Sequence, residues 1–452
     1  MVVGFAGCGY AEKADVAGMI REKYGFRAAF PKETERLLSE PGDYLIEDVA
    51  DSAEWNDAAA QNGLLLFFRL PDDGSLGGTD ALPGQGKIID AAGKTKEELC
   101  EQVYACICEY RFLQEFGAWR NRIDREIQGD GIRSLLEVYA GYPYMKPYCD
   151  EFLNFSSGGK RIRAYLVKLG YELCGKTVNH DVLMAGLAYE IYQSGILIHD
   201  DVIDQSRVRR KKPTYHVRFG DNHLGVSRAI CVGDIGILIA NEILLYTDLP
   251  EDIKIKALVH QKKVYKLTIA GELADIDLSD SEHYSQEQII SMYNLKTSWY
   301  TIVGPLQLGA IIGGADSSMM RQIEELGRLM GIAFQIKDDM LGVFESAEKT
   351  GKSDLSDLQE GKKTVITEHF LSHADKDDIA VFYSVYGNRA SGAAELDTVR
   401  VLFHKTGTYE YVMSMCKKYL SDARRILADM CIPKRCREQL LGFIDYQEKR
   451  MY

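Results

Sequence analysis

The sequence predicts a chain of two parts: a small α/β domain over residues 1–108 and a large all-α helical bundle over residues 115–452. Three observations predict it. Short β-like runs alternate with helical ones up to about residue 108, the pattern of a parallel α/β layer. Beyond that point apolar residues recur at three and four positions and strand signals stop. Only ten prolines occur in 452 residues, and long stretches hold none, so helices can run on.

The elements follow in order. Val2-Val3-Gly4-Phe5-Ala6 reads as a strand, then a Gly-rich turn, then an amphipathic helix to Tyr24. Tyr44-Leu45-Ile46 and Leu64 to Phe68 read as further strands. Gly74 to Gly86 is a loop rich in Gly, Pro and Asp, and Lys87 to Asp90 is a last short strand. A helix from Thr95 to about Glu126 reads as a connector. Roughly ten or more helices follow, with no internal repeat.

Composition narrows the function. Hydrophobic residues make up 46% and charged ones 27%, which excludes a disordered chain. There are 54 Lys and Arg against 67 Asp and Glu, a net charge of −13, so a broad basic face for nucleic acid is not expected. An anionic substrate would need cations gathered locally or a metal. The ten cysteines show no paired framework and no zinc spacing. Reduced thiols, no secretory leader and a cytoplasmic location are the expectation. The apolar stretches Ala229–Tyr246 and Tyr300–Gly314 fall short of the roughly 20 apolar residues that span a bilayer, and both read as buried helices.

The chemistry lies in two acidic clusters. In His199-Asp200-Asp201-Val202-Ile203-Asp204, Asp200 and Asp204 stand at i and i+4 on one helix face. The second cluster is Phe334-Gln335-Ile336-Lys337-Asp338-Asp339. Carboxylates on two helices that face each other make an oxygen site suited to Mg²⁺, which also takes waters and phosphate oxygens. Cations surround both clusters: Gly158 to Arg163, Arg207 to Lys212, Lys296, and Lys352, Lys362 and Lys363. Any one of these alone would be an ordinary solvated face. The apolar runs Gly195 to Ile198 and Ile332 to Ile336 change that balance, because carboxylates set into core-like sequence are costly without partners.

On these residues the chain resembles the trans-isoprenyl diphosphate synthases over about 115–452. The matching segments are GGKRIRAYL (158–166), Gln193, DDVIDQSRVRRKKPTYH (200–216), VGD (232–234), KTSWYTIVGPLQLGA (296–310), FQIKDDMLG (334–342) and TGKSDLSDLQEGKKT (350–364). The resemblance implies an all-α fold, a homodimer, and two Asp-rich motifs facing across a deep cavity. It implies that Asp200, Asp201, Asp204, Asp338 and Asp339 hold Mg²⁺ on an allylic diphosphate of C5 to C15. Arg209, Lys296, Lys352 and Lys362 would bind that diphosphate. Lys160, Arg163, Gln193 and Arg210 would bind isopentenyl diphosphate, with Thr297 and Gln335 near the developing carbocation. The implied reaction is chain elongation: neutralised diphosphate departs, the alkene of isopentenyl diphosphate attacks C1, and a proton is lost. Three departures from the family stand out: Gly342 where many members have a third Asp, Ala164 in place of Pro, and Lys211 in place of Gly.

The tail should run down the helix away from Asp200, one isoprene unit per turn of about 5.4 Å. Ile196 and Gly195, four and five residues before Asp200, leave that path open. Tyr192 is then either a floor, giving a C20 geranylgeranyl product, or core packing, which admits C25 or longer. A farnesyl product is a further alternative. Residues 1–108 resemble, more weakly, a P-loop nucleoside-phosphate or dephospho-CoA kinase domain through Gly7 to Asp15. Lys13 is present, but Glu12 replaces the loop Gly and Ala14 removes the Mg²⁺-binding hydroxyl, so a degenerate, non-catalytic domain is expected. Two rivals remain, a class I terpene cyclase and a non-catalytic prenyltransferase subunit. The Gly158–Arg163 element speaks against the first and the two intact Asp motifs against the second.

Overall fold

The computed structural model describes residues 2–6, 13–29, 44–49, 63–69, 87–90, 94–344, 356–388 and 390–449. The chain forms two compact units, Met1–Gln114 with Leu441–Asp445, and Glu115–Leu440 with Tyr446–Tyr452.

In the first unit, five strands form one parallel sheet: β1 (Val2–Ala6), β2 (Arg27–Ala29), β3 (Tyr44–Val49), β4 (Gly63–Arg69) and β5 (Lys87–Asp90), in the order β2-β3-β1-β4-β5. β1 is central; Val2 pairs with Tyr44 on one side and Gly63 on the other. β2 was not expected, since Arg-Ala-Ala carries no β-branched or aromatic signal. Helix α1 (Lys13–Tyr24) and the start of α2 (Lys96–Gln128) supply the apolar cover. Val16 and Ile20 of α1 and Leu99, Val103 and Ile107 of α2 are buried with Val3 and Ile89. The helix expected from Thr95 is a single element of 33 residues.

Among its described residues the second unit has helices and, as its only strands, one short hairpin. Its helices are α3 (Asp130–Leu136), α4 (Lys146–Ser156), α5 (Ile162–Leu173), α6 (His180–Ile203), α7 (Tyr215–Arg218), α8 (His223–Leu245), α9 (Glu251–Asp280) and α10 (Gln286–Tyr293). A π-helical segment, Asn294–Val303, leads into α11 (Gly304–Gly313). Then come α12 (Ser317–Phe344), α13 (Ser356–Gln359), α14 (Val365–His373), α15 (Lys376–Val385), α16 (Ala393–Lys405), α17 (Thr408–Asp429) and α18 (Lys434–Lys449).

Sequence chemistry sets several helix starts. Asn179 caps α6 by accepting from the Val182 N–H, and Asn222 caps α8 in the same way from Leu224 and Gly225. Ser285 and Gln288 close a capping box on α10. Helix α6 packs on α8 and α5, and α12 packs on α17 and the π-helical segment. The α6–α8 approach needs glycine, since a Cβ on Gly195 would stand 2.7 Å from the Gly233 carbonyl oxygen.

One sequence expectation holds here and one changes. Residues 304–310 are buried as expected. The stretch Ala229–Tyr246 is buried on one face only; Ile230, Leu238 and Leu245 of α8 are exposed. Ile255, Val259, Ile269, Leu273 and Ile276 of α9 are exposed as well. No helix among the described residues is long and apolar enough to cross a membrane.

Candidate active site

Asp200 and Asp338 line one cavity of about 440 Å³ in the helical unit. Helix α6 brings Gln193, Ile196, Leu197, Asp200 and Asp204 to its wall, and α12 brings Phe334, Gln335, Asp338 and Asp339. Helix α9 adds Thr268, Glu272 and Asp275, and the π-helical segment adds Lys296, Thr297, Tyr300 and Thr301. Lys160, Arg163, Arg209, Arg210 and Lys362 also line it. The i, i+4 spacing carries the acids because Asp204, the residue capping α6, keeps helical backbone angles.

The carboxylates are held by cations. Arg209 donates from Nη2 to Asp200 at 2.9 Å and from Nε to Asp201 at 2.7 Å. Asp201 is fully buried and is not part of the cavity wall. It therefore sits where it fixes Arg209, while Asp200 faces the cavity. Lys362 Nζ lies 3.3 Å from Asp204. Lys352 lies outside the described residues.

Lys296 is flanked by Asp275 at 2.6 Å and Glu272 at 2.9 Å. Burial alone would lower its pKa, but Asp275, Asp200, Glu272 and Asp204 outweigh that and hold it above the ordinary lysine range. Burial pushes the Glu272 carboxyl up, opposed by Lys296. Sequence reasoning missed Glu272 and Asp275. The signal was present: an i, i+3 acid pair directly after Gly271 on a helix. That glycine lets α9 approach the Lys296 backbone closely, because a Cβ there would collide with the Lys296 N.

A relay links the two sides of the cavity. Thr297 Oγ1 donates to Gln335 Oε1 at 2.5 Å, and Gln335 Nε2 donates to Asp339 Oδ1 at 2.7 Å. The Tyr293 hydroxyl donates to the other Asp339 oxygen. These bonds fix the Gln335 amide and hold Thr297 and Asp339 to it. Arg163 donates to Thr301 Oγ1 at 2.7 Å and stands 4.2 Å over the Tyr300 ring.

Two of the three departures show in the local structure. The Ala164 N–H donates to Glu190 Oε1 at 3.0 Å, a bond proline cannot make. Arg210 and Lys211 form the turn of the hairpin β6 (Val208–Arg209) and β7 (Lys212–Pro213), at φ 52° and 62°. Left-handed backbone favours glycine, so Lys211 is strained there.

Among the described residues no three acidic, His or Cys side chains converge tightly enough to hold a metal unaided. Mg²⁺ does not ask for that; it takes few carboxylates with waters and phosphate oxygens. The donor set is all oxygen, ringed by cations suited to phosphate, and so fits a magnesium diphosphate.

A helical bundle that presents acids from two helices across a cation-lined cavity suits an enzyme that handles a diphosphate. Residues 149–402 match the family model described as polyprenyl synthetase. The chain is 28% identical over 298 residues to a geranylgeranyl diphosphate synthase of Sulfolobus acidocaldarius, covering 65% of this chain and 87% of that protein. It is 31% identical over 286 residues to a short chain isoprenyl diphosphate synthase of Methanothermobacter thermautotrophicus, covering 60% and 85%. Its structure matches that of a geranylgeranyl pyrophosphate synthase from Corynebacterium glutamicum, solved with isoprenyl diphosphate and magnesium, with a TM-score of 0.68 and 28% identity. That match covers 74% of this chain and 98% of the other. The chain belongs to the polyprenyl synthetase family and is a transferase.

Proposed function

We propose that the protein condenses isopentenyl diphosphate with an allylic diphosphate of C5 to C15 to make geranylgeranyl diphosphate. The observation that carries this reading is the shared cavity of Asp200 and Asp338, whose lining also includes the cations Lys296, Arg209 and Lys362 and the apolar Ile196, Leu197 and Phe334. Asp200, Asp204, Asp338 and Asp339 would hold Mg²⁺, which neutralises charge growing on the departing diphosphate. Arg209, Lys296 and Lys362 bind and orient that diphosphate. Lys160, Arg163, Gln193 and Arg210 receive isopentenyl diphosphate. Thr297 and Gln335 fix polar oxygens beside the allylic carbons, and the apolar walls exclude water. The test is purified protein with isopentenyl diphosphate and C5, C10 or C15 donors, with and without Mg²⁺. Metal-dependent C20 product is expected; cyclic hydrocarbon, or no elongation, overturns the reading.

The exposed apolar residues of α8 and α9 support a homodimer, because so many large apolar side chains left uncovered by their own chain suit an association surface. Sedimentation should give twice the chain mass. A cytoplasmic location accords with the nine described cysteines, all of them thiols.

The N-terminal unit is proposed to be a degenerate P-loop-like domain without nucleotide chemistry. In its support, central strand β1 precedes helix α1, which opens at Lys13. Gly7 to Glu12 lie outside the described residues. Glu12 would repel phosphate, and Ala14 offers no hydroxyl. No thermal shift with Mg-ATP is expected; a clear shift would refute this reading.

A further inference from the structure

The turn that joins α4 to α5 presents Lys160 to the cavity, and the first turn of α5 presents Arg163. Arg161 stands between them and is used differently. Its side chain is buried. Nε donates to Asp124 of α2 at 2.8 Å, Nη1 to Glu190 of α6 at 3.4 Å, and Nη2 to the Ser156 carbonyl oxygen at 2.8 Å. A guanidinium with all three nitrogens engaged by protein groups acts as a clasp. It offsets a backbone cost, since Arg161 caps α5 in the left-handed region at φ 62°.

Glu190 holds the other side of that clasp and more. It is buried, and its two oxygens take two different partners: one receives Arg161, the other the Ala164 N–H at 3.0 Å. Ala164 is the third residue of α5, where no carbonyl of the helix can reach its N–H. One carboxylate thus ties the cap of α5 to its first turn, on either side of Arg163. Gln193, about one turn further along α6 than Glu190, lines the cavity as well. Lys160, Arg163 and Gln193 are three of the four groups read above as receiving isopentenyl diphosphate, and all three are registered to this one buried acid. A buried ion pair adds little stability over apolar packing; what it fixes here is geometry. The second tie needs an N–H at position 164, so a chain with proline there lacks it.

We propose that Glu190 is a positioning residue of the acceptor site. Through Arg161 and the Ala164 N–H it sets where Lys160 and Arg163 meet the acceptor diphosphate, without touching substrate itself. The inference rests on the elongation reading above.

The test is a comparison of the two substrates on the full chain, by steady-state KM and by equilibrium binding of isopentenyl diphosphate. In Glu190→Gln the single amide oxygen goes to the charged Arg161, which turns the NH₂ toward the Ala164 N–H. This variant should raise the KM for isopentenyl diphosphate about tenfold and weaken its binding in step, with the KM for a C15 donor within about twofold of wild type. Ala164→Pro removes one N–H and leaves the ion pair; it should raise the acceptor KM about threefold. Added to Glu190→Gln it should change nothing further, because the N–H it removes has already lost its acceptor. A merely structural role would lower the thermal midpoint and move both KM values together, and that result overturns the proposal. So does unchanged acceptor binding in Ala164→Pro, which decides the matter alone if Glu190→Gln does not fold. Wild type that does not elongate overturns the functional reading, and this proposal with it.

Discussion

Lys296 Nζ lies 2.6 Å from Asp275 Oδ2, with Glu272 on its other side. Two carboxylates thus keep one cation charged at the cavity wall. Replacing Lys296 with Met leaves both acids desolvated and opposed to Asp200. The variant should lose about 3 kcal/mol of stability, at the low end for a broken buried pair, and at least about 100-fold in turnover. Adding Glu272→Gln should restore part of the stability and none of the turnover. Urea unfolding and steady-state rates on the two variants check this; simple additivity of the two stability changes would contradict the coupling.

Asp200, Asp204 and Asp338 face the cavity, whereas Asp201 is buried against Arg209. Asp200→Ala and Asp338→Ala should each lower turnover about 1000-fold, equal to roughly 4 kcal/mol of barrier, and raise the Mg²⁺ concentration needed for half-activity. Asp201→Asn should weaken donor binding and stability through Arg209, with its Mg²⁺ requirement near wild type. Magnesium titrations of activity separate the two cases.

The first acidic cluster was legible because its members sit within one helical turn, where spacing alone fixes the shared face. Glu272 and Asp275 obey the same rule but lack the flanking apolar run that drew attention to Asp200. The π-helical segment was not legible. Its wider turn presents Lys296, Thr297, Tyr300 and Thr301 to one cavity, and no periodicity at 3.6 residues anticipates that. Burial of the 229–246 stretch was overcalled for a related reason. Hydropathy shows that a face is apolar, but not whether this chain covers it.

Lys211 holds φ at 62° in the hairpin turn. Lys211→Gly should stabilise the protein by about 0.5–1 kcal/mol, the relief of left-handed strain less the extra freedom of glycine when unfolded. A thermal midpoint at or below wild type would show that the turn is not strained.

His260 is buried with Nε2 3.0 Å from the Gly304 carbonyl oxygen. Burial lowers its pKa from 6.5 to about 4, with Lys263 acting in the same direction and the Gly304 bond opposing. The folded state therefore favours the neutral ring. Its stabilising contribution is whole above pH 6.5 and is lost as the pH falls toward 4, up to about 3 kcal/mol. His260→Gln keeps a donor for Gly304 and does not titrate. Its stability should fall less than wild type between pH 7 and pH 4, as followed by denaturant midpoints; parallel curves would exclude His260 as the source.

Gly195 and Ile196 are adjacent in sequence but serve different neighbours. Ile196 lines the cavity, while Gly195 faces α8, within van der Waals reach of Gly233 and Ile237. The tail path left open between the Asp motif and Tyr192 is thus set by Ile196 alone of the two. Ile196→Phe should fill the cavity one turn below Asp200 and shift the product from C20 toward C15, with the fold intact. Gly195→Phe should instead force α6 and α8 apart and cost more than about 3 kcal/mol, since the obstacle is backbone and cannot repack. Product analysis of the first and circular dichroism melting of the second distinguish the roles. A soluble, fully folded Gly195→Phe enzyme with shortened product would mean that Gly195 faces the tail after all.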